Sequence, residues 1–393
     1  MDDFWVRARA AVLLDRTATY LNTGSYGPTP RAVFEHVTAL RRRLAEEPVD
    51  FLWRQTPALL WQARERLAAF VGAAPTRLAF TVNVTAALNI VAGSLSLAAP
   101  GEVLLTDQEY GSVRSIWERA AQRQGLTLRT VPLPLRPRNG GAIVAAITAA
   151  LRPRTRVLVV SHVLHTTGMV VPLREVCAEA RRRGVLTVVD GAHAPGMVPV
   201  DLTAIGCDFY GANCHKWLLA PIGAGFLYLG PGSEDRVQPL TVSWGWHYDR
   251  TKADERDAWG STPRLRSFEF EGTRDPCPWL AVPAAIAFHE ELGPHRIRTR
   301  HRELTDYVRA RLDGLAGLRL VTPDPPELRG ALTAFRLPRH DPAALRKGLW
   351  EQYRLEVPVI EHPDGNLLRV STHFYNLPEE IDRLADALPK LLT

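Results

Sequence analysis

The chain has 393 residues, 46% of them hydrophobic and 23% charged, with a formal net charge of +6; these are ordinary proportions for a globular protein long enough for two domains. No apolar run approaches the length that spans a bilayer, MDDFWVRARA does not read as a signal peptide, and four scattered cysteines (Cys177, Cys207, Cys214, Cys277) suit reduced thiols in a cytoplasm. Basic runs at 41–43, 181–183 and 295–303 lie in stretches of helical periodicity without interleaved aromatics, so they read as solvated helix faces and not as nucleic-acid contacts.

In chain order, ALLWQARERLAAFV (58–71) places Leu60, Ala63, Leu67, Phe70 and Val71 on one helical face, and Gly72 ends it. RLAFT (77–81) reads as a strand and TAALNIVAGSL (85–95) as the helix after it. Strands follow at 102–107, 126–133, 156–163, 185–191, 207–213 and 224–230, the first four of these separated by helices over 113–125, 142–151 and 173–184. This alternation predicts an α/β fold with a mostly parallel sheet covered on both faces, whose ligands bind at the carboxyl ends of strands. Residues 232–275 read as loop, with the aromatics of SWGWHYD (243–249). A helix at 278–292, a strand at 330–337, a helix at 341–354, a strand at 366–372 and a helix from Pro378 predict a smaller α+β unit. The expected division is an N-terminal segment 1–30, a large domain 31–275 that carries the site, and a small C-terminal domain 276–393.

The chemistry concentrates at two strand ends. In FYGANCHKWLLAP (209–221) a lysine sits inside an apolar run, although only four of the 48 basic residues are lysines (Lys216, Lys252, Lys347, Lys390). Arginine stays charged, whereas a desolvated lysine becomes a neutral nucleophile. Asp190 ends the apolar strand VLTVV, and an unpaired carboxylate there is costly. Both groups project into one crevice. A direct Asp190–Lys216 ion pair is one explanation. Pyridoxal 5′-phosphate (PLP) is the other: that cofactor needs a lysine for its aldehyde, a carboxylate for its pyridine nitrogen and a phosphate cup, which VNVTAALN (82–89) offers at a helix start.

The segment VVDGAHAPGMVPVDLTAIGCDFYGANCHKWLLAPIGAGFLYLG (188–230) resembles the class V aminotransferase superfamily of fold-type I PLP enzymes. DGAHAPG followed by NCHKWL is most similar to its isopenicillin-N-epimerase-like branch, and the resemblance runs from LNTGSYGPTP (21–30), which includes Asn22, to LLRVSTHFYN (367–376). The resemblance implies that Lys216 binds the cofactor aldehyde, Asp190 partners the pyridine nitrogen, His193 lies near the phenolic oxygen and Tyr110 stacks on the ring. It places His162 near the ring oxygen or substrate, and Val84, Thr85, Asn213 and His215 around the phosphate. Arg369 matches the arginine that holds a substrate α-carboxylate, with a structural salt bridge as the plain alternative. Thr273, in EGTRD, matches a threonine that reaches the phosphate of the neighbouring subunit, which implies a homodimer with interface sites. Asn22 and Trp244 are candidate substrate contacts.

Relatives that desulfurate cysteine carry a cysteine just before the carboxylate-binding arginine, and VPVIEHPDGNLLR (357–369) has none. Cys207, Cys214 and His215 lack the paired spacing of a zinc site, so no metal is expected. GAGFLYLG is a poor dinucleotide fingerprint. The expected function is PLP chemistry at Cα or Cβ of a small-molecule amino acid in antibiotic or thiol metabolism. Cleavage of an S-substituted cysteine, or decarboxylation or deamination, is placed first, epimerisation of the isopenicillin N type second and transamination third. A non-catalytic scaffold is disfavoured because Lys216, Asp190 and Arg369 are all present.

Overall fold

The computed structural model describes residues 3–362 and 364–392. Seven strands form the central sheet: β1 (Leu78–Thr81), β2 (Glu102–Thr106), β3 (Thr127–Val131), β4 (Thr155–Ser161), β5 (Leu186–Asp190), β6 (Phe209–Asn213) and β7 (Gly225–Leu229). Their order is β1-β7-β6-β5-β4-β2-β3, parallel except that β7 runs against both neighbours. The apolar runs at 102–106, 157–160 and 209–213 are buried on both faces by helices, which is why these strands lack the alternation of a half-exposed sheet. The fold is therefore the α/β architecture expected from the sequence.

A second sheet, β8 (Arg319–Leu320), β9 (Leu332–Arg336), β10 (Val359–Ile360) and β11 (Leu367–Ser371), is antiparallel in the order β10-β11-β9-β8. It packs with the helices Pro342–Tyr353 and Pro378–Leu391 around core residues such as Phe335, Leu349 and Leu384. The helical stretches around the basic runs at 41–43 and 295–303 are the helices Arg31–Glu46 and Pro294–Leu312. The sequence pattern leaves out two features: Thr19–Tyr20 pairs with Leu355–Glu356, and the expected loop at 232–275 contains the helix Pro263–Glu269.

Two close approaches fix the geometry around the lysine. Gly27 N–H donates to the His215 carbonyl at 2.9 Å, and a Cβ on Gly27 would stand 2.0 Å from the Lys216 carbonyl oxygen. A Cβ on Gly191 would stand 2.0 Å from the Tyr210 ring. Only glycine lets these segments approach so closely.

Candidate active site

The carboxyl ends of β1, β4, β5 and β6 surround a cavity of about 380 Å³, the place where an α/β sheet offers a ligand site. Lys216, Asp190, His193, Tyr110, Val84, Thr85, Asn213, His215 and Arg369 all line it. Ser25 and Tyr26 of the LNTGSYG segment, and Ser161 and His165 from the end of β4, join them.

Lys216 follows β6 on a tight loop in which Leu219 adopts a left-handed backbone (φ 61°), a conformation that a branched side chain takes only where the surroundings enforce it. No direct ion pair joins Lys216 to Asp190 among the described residues; the Nζ stands 3.3 Å from His193 Nε2. The plain ion-pair explanation therefore fails. Burial pulls the Lys216 amine down to about 8, with Asp190 opposing and Arg369 assisting. Asp190 accepts from the Ala192 N–H at 2.8 Å, and burial raises its carboxyl above the usual range. Trp217 Nε1 donates to His193 Nδ1 at 3.3 Å. Indole is a donor only, so the neutral imidazole carries its proton on Nε2, facing Lys216. Burial keeps that ring neutral by holding its pKa well below the ordinary value.

Arg369 is buried at 5% exposure, yet no carboxylate partners it among the described residues. Nη1 donates to the His165 carbonyl at 2.9 Å, and Nη2 donates to Asn22 Oδ1 and Ser25 Oγ at 3.3 and 3.4 Å. Burial pulls its pKa down to about 10. The guanidinium is held only by neutral oxygens, so it is not half of a structural salt bridge among the described residues and its charge is left free for an anion. Asn22 does not line the cavity; it orients Arg369 while its amide donates to Glu356 at 2.8 Å.

Three further expectations change. His162 lies outside the cavity: strand periodicity turns Ser161 and Val163 inward and His162 away, where Nδ1 pairs with Tyr210 Oη at 2.8 Å. Trp244 also lies outside; the 232–275 segment folds it onto Trp53 (ring centroids 5.3 Å apart) and Phe270 (5.8 Å), in a separate cavity of about 240 Å³ that Thr273 also lines. The Val84 N–H is taken by Asn213 Oδ1 at 2.9 Å and the Ala86 N–H by Asn83 Oδ1 at 2.9 Å. This leaves the N–H and hydroxyl of Thr85 as first-turn donors for an anion. His165 is the residue the pattern underrated. Its ring hydrogen-bonds the Gln108 backbone, its Nδ1 is buried without a partner among the described residues, and its ring stands edge-on to Tyr110 at 5.2 Å. It sits on the turn after β4, where no strand period applies, so the sequence pattern carried no signal for its direction.

A buried histidine cluster backs the lysine loop. His373 Nε2 donates to the Trp217 carbonyl at 3.0 Å, and His301 packs edge-on against His373 at 4.8 Å. Burial lowers His289 to about 4, His373 to about 3 and His301 well below its ordinary value, as it lowers His162 to about 4. The unfolded chain binds these protons below about pH 6.5 and the folded chain does not. Their contribution to stability is thus complete above pH 6.5 and declines as pH falls toward 4. Glu109, raised to about 7, opposes this with one proton. The net expectation is a melting temperature that drops steadily between pH 6.5 and 4.5; thermal scans across that window check it, and a flat profile contradicts it.

A lysine whose pKa burial lowers, a buried carboxylate in the same cavity, free donors at a helix start and an uncompensated guanidinium fit the donor chemistry that a PLP cofactor asks for, on the fold of the fold-type I PLP enzymes. The chain belongs to the aminotransferase class-V family, whose model matches residues 28–384. It is similar to the isopenicillin N epimerases of Streptomyces clavuligerus (55% identical over 390 residues) and Amycolatopsis lactamdurans (56% over 392), in each case over 98% of both chains. It is also similar to the solved structure of a variant of the C–S lyase C-DES with glycine covalently linked to its PLP cofactor. That match has a TM-score of 0.82 at 27% identity and covers 96% of this chain and 97% of the other. The protein is a PLP-dependent enzyme of this family.

Proposed function

We propose that the protein is an amino-acid epimerase of the isopenicillin N type, inverting a Cα that bears a free amine and a carboxylate. The observation that carries this reading is that several groups able to carry a proton line one pocket from separate strand ends. Lys216 enters from the β6 end, Tyr110 and His165 enter from the β2 and β4 ends, and Asp190 on β5 lies between them. Inversion needs a proton carrier on each side of Cα, whereas elimination needs one. The two epimerase relatives above half identity support the same reading. So does the placement of the cysteines, since all four are buried and none lines the cavity. A built receptor for the α-carboxylate also argues against decarboxylation. Epimerisation therefore moves ahead of side-chain cleavage, which the sequence pattern had placed first.

PLP, when bound, supplies an electron sink that acidifies the Cα–H of an amine joined to its aldehyde. Lys216 binds the aldehyde, Asp190 holds the pyridine nitrogen protonated, and the His193 Nε2–H serves the phenolic oxygen. Tyr110 covers the ring, while Thr85 and His215 take the phosphate on a loop that Asn213 pins to Val84. Arg369, oriented by Asn22 and the His165 carbonyl, holds the α-carboxylate. In one direction the Lys216 amine removes the Cα proton and Tyr110, with His165 beside it, returns one to the opposite side; in the other direction the roles exchange. Tyr110→Phe is expected to slow inversion by about 10²–10⁴-fold while the visible cofactor band and Cα–H exchange of one diastereomer persist. Undiminished inversion of isopenicillin N by this variant, read by chiral chromatography, would remove Tyr110 from the mechanism.

A cytoplasmic homodimer completes the proposal. The exposed Trp244 and Trp53 beside Thr273 form an apolar surface suited to a second copy, and Thr273 would then reach the partner's phosphate. The large and small domains are proposed to meet at about residue 275.

A further inference from the structure

Among the buried acids that the mechanism leaves unused, Glu102, Glu269 and Glu380 are paired with arginines and Glu109 is not. Glu109 lies beneath the cavity floor, next in the chain to Tyr110, and no cation pairs with it among the described residues. Its Oε1 accepts from Thr106 Oγ1 at 2.6 Å and from the Ser161 N–H at 3.1 Å; its Oε2 lies 2.5 Å from Ser161 Oγ. Ser161 ends β4, lines the cavity and stands in register with Asp190 at the end of β5. In-register residues of neighbouring parallel strands project to the same side of the sheet. Ser161 is thus the one group that touches Glu109 on one side and the cofactor cavity on the other.

We propose that Glu109 is a positioning residue that sets, through Ser161, the hydrogen bonding of the cavity floor beside Asp190 and thereby the protonation of the bound cofactor. The switch follows from counting hydrogens. When Glu109 is ionised, the Ser161 hydroxyl must donate to Oε2. When Glu109 is protonated, its proton sits on Oε2, because Oε1 already receives two donors, and it is given to Ser161 Oγ. The serine hydrogen is then free to turn into the cavity. Burial, with Asp190 adding to it, brings Glu109 to about 7, so both states are populated in the neutral range. Asp190, at the end of β5 on the far side of β4, is the titratable group whose charge acts on Glu109; Thr106 and Ser161, its hydrogen-bond contacts, do not titrate in this range.

The inference rests on the cofactor placement proposed above, and the experiment separates the two. The visible absorbance of the holoenzyme is titrated with pH for the wild type, Glu109→Gln and Ser161→Ala. Glutamine keeps the acceptor for Thr106 and donates permanently to Ser161, so it mimics the protonated state with the fold retained. The wild type is expected to show a spectral step with a midpoint near 7. Glu109→Gln should lose that step and keep the low-pH spectrum through neutrality. Ser161→Ala, which breaks the relay without touching the acid, should lose it as well. Superimposable titrations in all three proteins overturn the role of Glu109 while leaving the cofactor placement standing. A holoenzyme with no visible band overturns both.

Discussion

Lys216→Ala is expected to reduce the proposed epimerisation by more than about 10³-fold, because the proposed mechanism gives this one side chain two tasks that nothing else in the cavity can assume. Its amine is the lysine nitrogen of the cavity, and burial brings it to about 8, low enough to supply a free base at physiological pH. Alanine would remove both the proposed covalent hold on the cofactor aldehyde and the proposed proton carrier on the β6 side. The fold should survive. Lys216 makes no ion pair among the described residues, and its contact with His193 is replaceable by water in an open cavity. A melting temperature within a few degrees of the wild type, with inversion lost, is the expected pair of results. Retained inversion in the alanine variant would remove the lysine from the chemistry.

The largest expected effect on stability lies away from the cavity, at Arg64. Its side chain is fully buried on the helix Thr56–Val71, where Nη1 and Nη2 grip Glu269 at 2.7 and 2.9 Å. Nη1 also donates to the Leu78 carbonyl, and Nη2 to Ser261 Oγ at 3.2 Å. Glu269 in turn accepts from the Phe80 N–H at 2.8 Å. The pair thus ties the helix Pro263–Glu269 to β1, the strand that leads into the Val82–Thr85 cup. Arg64→Ala leaves Glu269 buried, charged and unpaired, at a cost of about 3–5 kcal/mol. Replacing both partners, Arg64→Met with Glu269→Leu, should recover most of that loss, since the penalty belongs to the orphaned charge. Urea unfolding of the two variants checks this. An Arg64→Ala protein as stable as the wild type would contradict the clamp. Because β1 leads into the proposed phosphate cup, the single variant should also hold PLP more weakly.

Most of the large sheet could be read from the chain because its strands are buried on both faces, and continuous apolar runs such as RVLVVS between amphipathic helices have no other stable arrangement. Lys216 and Asp190 were legible for the opposite reason: a charge inside such a run is costly enough to demand a purpose. What stayed hidden depends on contacts between distant segments. The capture of the Val84 amide by Asn213 joins residues 129 positions apart, and no local pattern announces it. Trp244 looked like a substrate contact because it is aromatic and lies in a loop, but its packing on Trp53 is decided by how residues 232–275 return across the large domain. The exchange of His162 for His165 was only half within reach. Alternation past Ser161 turns His162 away from the cavity, but His165 lies on the turn after the strand, where no period of two applies. The order of the candidate reactions was beyond the motif, because elimination and inversion share Lys216, Asp190 and Arg369 and differ in what stands on the far side of Cα.

Proton transfer on both sides of one carbon is the central claim, and the label at Cα tests it most directly. Isopenicillin N is incubated with the holoenzyme in deuterium oxide, and the two diastereomers are separated and examined by NMR at early conversion. The expected result is an inverted product with an intact side chain and deuterium at Cα, because the proton removed on the Lys216 side is not the one returned on the Tyr110 side. An inverted product that keeps its original proton would contradict two-sided transfer, and release of pyruvate, ammonia or a thiol would contradict epimerisation itself.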